Sequence, residues 1–80
     1  MKIKLKAEVL AIKQPASNES LFAVTLDCGQ PFKTFTAPKI APQLVGTSFS
    51  RPLEGLLIMQ VFGQPTVNVG DLVPVEIEPA

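Results

Sequence analysis

The chain has no histidine, tryptophan or tyrosine, and Cys28 is its single cysteine. One cysteine excludes a disulfide within the chain. Without histidine the commonest general base is missing, and one thiol cannot build a structural zinc site. Gly63 and Gly70 are isolated turn residues and not part of a phosphate-binding loop. We therefore expect no enzymatic activity, no cofactor and no metal.

Long hydrophobic runs are also missing. No stretch approaches the roughly 18 apolar residues that a membrane-spanning helix needs. Lys2, Lys4 and Lys6 interrupt the first apolar stretch, which is not the pattern of a secretory signal peptide. Together with the lone cysteine, this pattern predicts a cytoplasmic protein.

Charge is sparse, and the formal net charge is zero. This balance argues against nucleic-acid binding through bulk charge alone. The charges are nevertheless uneven, since residues 1–39 hold six lysines against three acidic residues, whereas residues 40–80 hold one arginine against four. Such asymmetry either builds a basic face on a neutral molecule or reflects two ordinary solvated surfaces.

Eighty residues form one domain, 1–80, which buries only a modest share of its surface. Small domains are usually stabilised by disulfides, by a metal or by self-association. The composition argues against the first two, while the mean hydropathy of +0.31 is high for a small monomer. We therefore expect a homo-oligomer, and specifically a dimer.

What is present is alternation with period two, interrupted by prolines and glycines, which is typical of antiparallel β proteins. In the first strand Ile3, Leu5, Ala7 and Val9 share one face, and lysines occupy the other. The phase of the alternation changes at Leu10. This change predicts a β-bulge or bend that lets one long strand serve two sheets.

The middle of the chain predicts a hairpin after an exposed loop at 14–20. A strand over Leu21–Cys28 connects through Gly29-Gln30-Pro31 to a strand over Phe32–Thr36. Prolines and glycine then forbid a long element, and the segment 39–45 is predicted to hold a single helical turn.

The last third predicts two main strands. The first, Leu53–Phe62, is apolar on both faces, which places it under a second layer or in a subunit interface. A short strand at 66–69 is predicted next. The final strand contains Pro74, which cannot donate a ladder hydrogen bond and should therefore lie at a sheet edge.

Together these features predict an all-β fold, a small five-stranded antiparallel OB-like barrel. An SH3-like barrel is the alternative, because the sequence does not give the strand order.

Two polar features are assigned structural roles. Cys28 falls on the apolar face of its strand and is predicted to be an inert core thiol. Glu76 and Glu78 face outward near the C-terminus, where solvated edge charges are a better explanation than a cation site.

The first functional hypothesis is single-stranded nucleic-acid binding, which combines a basic groove with aromatic rings on which bases stack. Phe22 and Phe62 are assigned to the core, while Phe49 is a further candidate ring. For every phenylalanine a core position is the competing explanation. The candidate binding residues are Lys4, Lys6, Phe32, Lys33, Phe35, Lys39 and Arg51.

Two segments add a resemblance. Thr25-Leu26-Asp27-Cys28-Gly29-Gln30-Pro31 and Val73-Pro74-Val75-Glu76-Ile77-Glu78-Pro79-Ala80 resemble parts of the small single-stranded DNA-binding proteins of filamentous phages. The resemblance covers about a fifth of the chain. It implies an OB-like barrel, a homodimer and a role in phage DNA replication. That family uses tyrosines in its binding loops, and this chain has none.

The second hypothesis is a protein-interaction or assembly module. Its support is the strand that is apolar on both faces, with a dimer formed through Leu53, Leu57, Met59 and Val61. A small-molecule-binding barrel is a poorer third, because eighty residues leave little interior volume once side chains fill it.

Overall fold

The computed structural model describes residues 1–14, 20–46 and 50–80. These ranges form a six-stranded antiparallel sheet with the strand order β3-β6-β1-β2-β5-β4. They contain no helix that is long and apolar enough to cross a membrane. The elements are β1 (Ile3–Lys13), β2 (Leu21–Asp27), β3 (Phe32–Thr36), β4 (Gln43–Gly46), a 3-10 helix (Pro52–Glu54), β5 (Leu56–Phe62) and β6 (Leu72–Pro79).

The sheet curls around one apolar face, so the predicted all-β class is confirmed, and the architecture fits a small OB-like or SH3-like barrel. The 3-10 helix contacts both β3 and β5 and thereby links the two ends of the curled sheet. The inner face carries the buried residues Ala7, Val9, Val24, Leu26, Cys28, Phe32, Ile40, Leu57, Met59, Val61, Val73, Val75 and Ile77.

The long first strand contains the predicted bulge. Its residues 3–8 pair with β6, and its residues 8–13 pair with β2. Val9 lies opposite Leu26 and Ala11 lies opposite Thr25, so Leu10 is the extra residue between them. Because one residue is inserted, the side chains that point into the core are odd-numbered before Leu10 and even-numbered after it, as the sequence pattern predicts.

The predicted hairpin between the second and third strands is wrong. β3 pairs with β6, where Phe35 lies opposite Ile77, and it makes no ladder with β2. The reason is that β1 and β5 already occupy both edges of β2. The chain therefore leaves β2 at Cys28, whose backbone N–H donates to the carbonyl of Gly55 at 2.8 Å, and crosses to the other end of the sheet.

Two predictions on the connecting segments are also wrong. The segment expected to hold a helical turn contains the short edge strand β4, which pairs with β5. The segment 66–69 is a turn and not a strand: the N–H of Asn68 donates to Asp71 Oδ2 at 2.8 Å, and Gly70 takes a φ of 94° that glycine adopts readily. Of the predicted exposed loop, residues 15–19 lie outside the described ranges.

β5 is apolar on both faces, as predicted, but its inner face is not the interface that the sequence suggested. Leu57, Met59 and Val61 are completely buried in the core of this chain, so they cannot contact a second subunit. Leu53 precedes the strand in the 3-10 helix and is 84% exposed. Phe62, assigned to the core from the sequence, instead lies partly exposed on the outer face, opposite Leu21.

Candidate nucleic-acid interface

The lysines of β1 lie on the outer face of the sheet. Lys2, Lys4 and Lys6 are exposed, because Ile3 and Leu5 between them pack against the core. Successive side chains of a strand point to opposite faces, so the alternation of the sequence leads directly to this row of cations. The predicted outward position of these lysines is therefore confirmed.

β6 and β3 extend this outer face with polar side chains. Glu76 lies between Lys4 on β1 and Thr36 on β3 in one cross-strand row. Lys2 Nζ donates to Thr36 Oγ1 at 3.2 Å, and Thr36 Oγ1 donates to Glu76 Oε1 at 3.4 Å. The three strands are thus tied together by side chains as well as by ladder hydrogen bonds, and acidic groups alternate with the lysines.

A groove opens on this face where β3 stops. Thr36, the last residue of β3, lies opposite Glu76, so β3 no longer covers the edge of β6 at Pro74. The sequence-based expectation that Pro74 lies at a local edge is therefore confirmed, although β6 as a whole lies between two strands. The groove has a volume of about 320 Å³ and is lined by Lys4, Thr36, Ala37, Pro38, Pro74, Val75 and Glu76.

The groove combines apolar and charged walls. Pro74 offers an exposed, rigid apolar ring and Pro38 lines the groove from a buried position, whereas Lys4 supplies a cation and Glu76 an anion. Lys6 lies directly opposite Pro74 in the next row. A groove of this kind can accept a flat, partly apolar group while the lysines contact an attached anion.

The remaining predicted cations lie at different distances from the groove. Lys39 is exposed and follows Pro38 in the chain, close to the groove wall. Lys33 is also exposed, but it is the bulged residue between Phe32 and Thr34, at the opposite end of β3. Lys39 is thus the chain neighbour of a groove residue without lining the groove itself, whereas Lys33 lies away from it.

Arg51 does not belong to the groove. It bridges to Leu56 beside the 3-10 helix, and its guanidinium Nη1 lies 3.5 Å from Glu54 Oε2. This exposed pair is screened by water and contributes little to stability. The sequence analysis grouped Arg51 with the other candidate binding residues. In the structure it instead lines a separate shallow depression, together with residues 52–54.

The predicted stacking rings on the central strand are corrected by the structure. Phe32 is only 2% exposed and belongs to the core. Phe35 lies opposite the buried Ile77, so it also points inward, and it packs edge-on against Phe32 with ring centroids 5.9 Å apart. Neither ring offers an open face to a base. Phe49, the further candidate, lies outside the described residues.

Cys28 is buried, which confirms the predicted core thiol. Burial raises the pKa of this thiol, and the nearby charge of Asp27 raises it further. A thiol with a raised pKa stays protonated and is a poor nucleophile. Within the described ranges, His, Cys, Asp and Glu side chains form no cluster of three or more that could hold a metal ion.

Sequence reasoning missed Thr36, Pro38 and Pro74 as groove residues. The available signal was Pro74 itself, because a proline inside a strand requires the neighbouring strand to end or bend away. The position of Pro38 beside it depends on the pairing of β3 with β6, which local sequence does not determine.

A comparison of the chain with known protein families, with curated protein sequences and with solved structures found no match.

Proposed function

We propose that this protein binds single-stranded nucleic acid through the outer face of β3, β6 and β1, with the groove at Pro74 as its centre. The observation that carries the proposal is the groove itself, which places the exposed ring of Pro74 beside Lys4, with the buried Pro38 behind it in the lining. Lys6 and Lys39 flank these walls. A base fits against the apolar walls, and the lysines neutralise the adjoining phosphates.

The mode of binding differs from the one that the sequence suggested. Without an open phenylalanine face on these strands, stacking on aromatic rings does not supply the affinity. Phosphate contacts therefore dominate, and such contacts are independent of base sequence and sensitive to salt. Glu76 opposes them by repelling phosphates, so we expect weak binding by a single protomer.

DNA is the preferred polymer in this proposal. The segment 73–80, which resembles the phage single-stranded DNA-binding proteins, includes the groove residues Pro74, Val75 and Glu76. A double helix suits the site less well, because a base must leave the stack before it can reach the proline walls.

The test is fluorescence anisotropy of a labelled oligothymidine, titrated with the protein over a range of salt concentrations. Three lysines at the groove give an expected slope of log affinity against log salt of about −2, at about 0.7 per neutralised phosphate of a single strand. Absence of binding at low salt would refute the proposal.

Matched lysine variants locate the site. Lys4→Gln should weaken binding and reduce the salt slope by about 0.7, because one phosphate contact is lost. At protein concentrations where the chain is monomeric, Lys13→Gln removes the same charge from the far end of β1 and should leave the slope unchanged. Lys33→Gln should have a smaller effect than Lys4→Gln, since Lys33 lies at the other end of β3. Equal effects of Lys4→Gln and Lys13→Gln would show that the groove is not the site.

A further inference from the structure

The outer face of β2 and β5 is mainly apolar, with Thr25 and Gln60 as its polar side chains, and the described core does not pack on it. Because Val24 and Leu57 point inward, their neighbours along each strand point outward. None of the outward apolar residues belongs to the core or to the half-buried residues that pack against it. The residues of this face, which we call the β2–β5 outer face, are Ala11, Leu21, Ala23, Thr25, Leu56, Ile58, Gln60 and Phe62.

On β1 and β2, the charged residues of this face lie at its two ends. At one end Glu8 lies directly opposite Asp27, so two carboxylates are cross-strand neighbours. Like charges in this position are destabilising. At the other end Lys13 lies opposite Ala23.

None of these three charged groups has an ion-pair partner among the described residues. Asp27 accepts one hydrogen bond, from the backbone N–H of Gly29 at 2.8 Å. Glu8 and Lys13 are exposed and form no ion pair within the described part of the chain. Within the described part of the chain the face therefore carries an acidic end and a basic end that no ion pair neutralises, with mainly apolar side chains between them.

We propose that the β2–β5 outer face packs against the same face of a second copy of this chain. The two copies are related by a two-fold axis. The axis lies between the two sheets, runs at right angles to the strands and passes near Thr25. Rotation about it reverses the strand direction of one copy relative to the other. Thr25 lies midway between Ala23 and Asp27 on β2, so this rotation brings Lys13 of each copy to the Glu8 and Asp27 end of the other. The contact is self-complementary, as a two-fold interface requires.

Two sheets packed in this way form a sandwich with aligned strands, which is a common arrangement. The face spans three strands and about seven residues along the strands, or about 14 Å by about 23 Å. This footprint is small for a stable protein interface. We therefore expect a reversible dimer that dissociates on dilution, in which the ion pairs at both ends set the orientation of the two copies.

This proposal does not depend on nucleic-acid binding. The groove lies beside the first half of β1, whereas the dimer face begins at the bulge and uses the second half. Lys4 and Lys6 remain exposed in the dimer. The interface is also the face of β5 opposite to the one that the sequence suggested, and it leaves Leu57, Met59 and Val61 in the core.

The test is sedimentation velocity of the full chain over a concentration series from low micromolar to several hundred micromolar. The unchanged protein should shift from monomer to dimer across this range. Lys13→Glu should weaken the dimer about tenfold, because it places like charges against each other at both ends of the interface. Lys4→Glu makes the same charge change on the groove face and should leave the dimer unaffected.

A charge exchange tests the orientation of the two copies. In the triple variant Lys13→Glu with Glu8→Lys and Asp27→Asn, opposite charges again face each other at both ends, and dimerisation should recover. The asparagine keeps the side-chain oxygen that accepts from the N–H of Gly29. Ile58→Asp should also give a monomer, and its fold is checked by circular dichroism. Should Ile58→Asp not fold, the charge exchange still decides the outcome. A protein that is monomeric throughout, or a dimer that Lys13→Glu leaves unchanged, would overturn the proposal, as would failure of the triple variant to restore the dimer.

Discussion

Lys4 on β1 lies directly opposite Glu76 on β6, so a cation and an anion line the same groove. Thr36 Oγ1 donates to Glu76 Oε1 at 3.4 Å from the other side of the row. The carboxylate thus helps to join β3 to β6 while it lowers the positive potential of the face. Its structural and electrostatic effects can be separated by an amide, which keeps the acceptor oxygen and removes the charge.

The first prediction follows from this relationship. Glu76→Gln should strengthen binding of labelled oligothymidine about threefold at low salt, because removing a charge about 6 Å from a phosphate is worth about 0.7 kcal/mol in water. The gain should shrink as salt rises. Anisotropy titrations measure both effects. Asp71→Asn is the control, since it makes the same charge change in the turn before β6, and it should give the smaller gain.

A second prediction concerns Gly55, which has a φ of 72°. A Cβ atom at this position would lie 2.7 Å from the carbonyl oxygen of Gln30, closer than real Cβ atoms approach. Gly55→Ala therefore adds a backbone clash to the strain of a left-handed conformation. We expect a loss of about 2–3 kcal/mol in the free energy of unfolding, measured by urea denaturation.

Gly29 provides the matched control for this clash. Its φ of 78° is nearly the same, but a Cβ atom there would meet nothing within 4 Å. Gly29→Ala should therefore show the strain alone, about 1 kcal/mol. Equal losses for the two variants would mean that the contact between Gly55 and Gln30 adds nothing to the strain.

A third prediction distinguishes a core ring from a stacking ring. Phe32→Ala should reduce the free energy of unfolding by about 3–5 kcal/mol, because it empties a buried site. Leu53→Ala removes an exposed side chain and should change stability by less than about 0.5 kcal/mol. Urea denaturation compares the two. A Phe32→Ala protein of normal stability that no longer binds oligothymidine would restore Phe32 as a stacking residue.

A fourth prediction uses the raised pKa of Cys28. In the unfolded chain the thiol ionises near its ordinary pKa of about 8.5, whereas the folded chain keeps it protonated to higher pH. At alkaline pH the unfolded state therefore binds fewer protons than the folded state. The stability that this thiol contributes is complete below the pKa of the unfolded chain and is lost as the pH rises through the pKa of the folded chain.

This linkage is measured by urea denaturation at a series of alkaline pH values. The free energy of unfolding should fall more steeply for the unchanged protein than for Cys28→Ala, which lacks the thiol. The alanine variant starts from lower stability because it leaves a small cavity, so the slopes with pH are compared rather than the absolute values. Parallel slopes would contradict the prediction.

The site shows how far local sequence rules extend. The outward lysines of β1 follow from alternation alone, because neighbouring side chains in a strand point to opposite faces. The inward position of Phe35 does not, since it depends on which residue of which strand lies opposite. Once β3 pairs with β6, Phe35 faces the side of Ile77, which is buried.

Features that depend on residues near one another in the chain can be predicted from the amino-acid sequence. The all-β class, the bulge at Leu10 and the local edge at Pro74 each follow from side-chain alternation or from a missing backbone donor, and the structure contains all three. The sequence also shows that β5 is apolar on both faces.

The pairing partner of β3 and the inward face of β5 depend instead on how distant parts of the chain pack together. β2 has no free edge once β1 and β5 flank it, so β3 pairs with β6, and the groove exists because β3 ends short of Pro74. β5 is likewise turned so that Leu57 is buried and Ile58 faces outward. These outcomes depend on contacts between residues distant in the chain. Which strands pair is determined by which sheet edges are still free, and the local β-propensity of a segment carries no information about that.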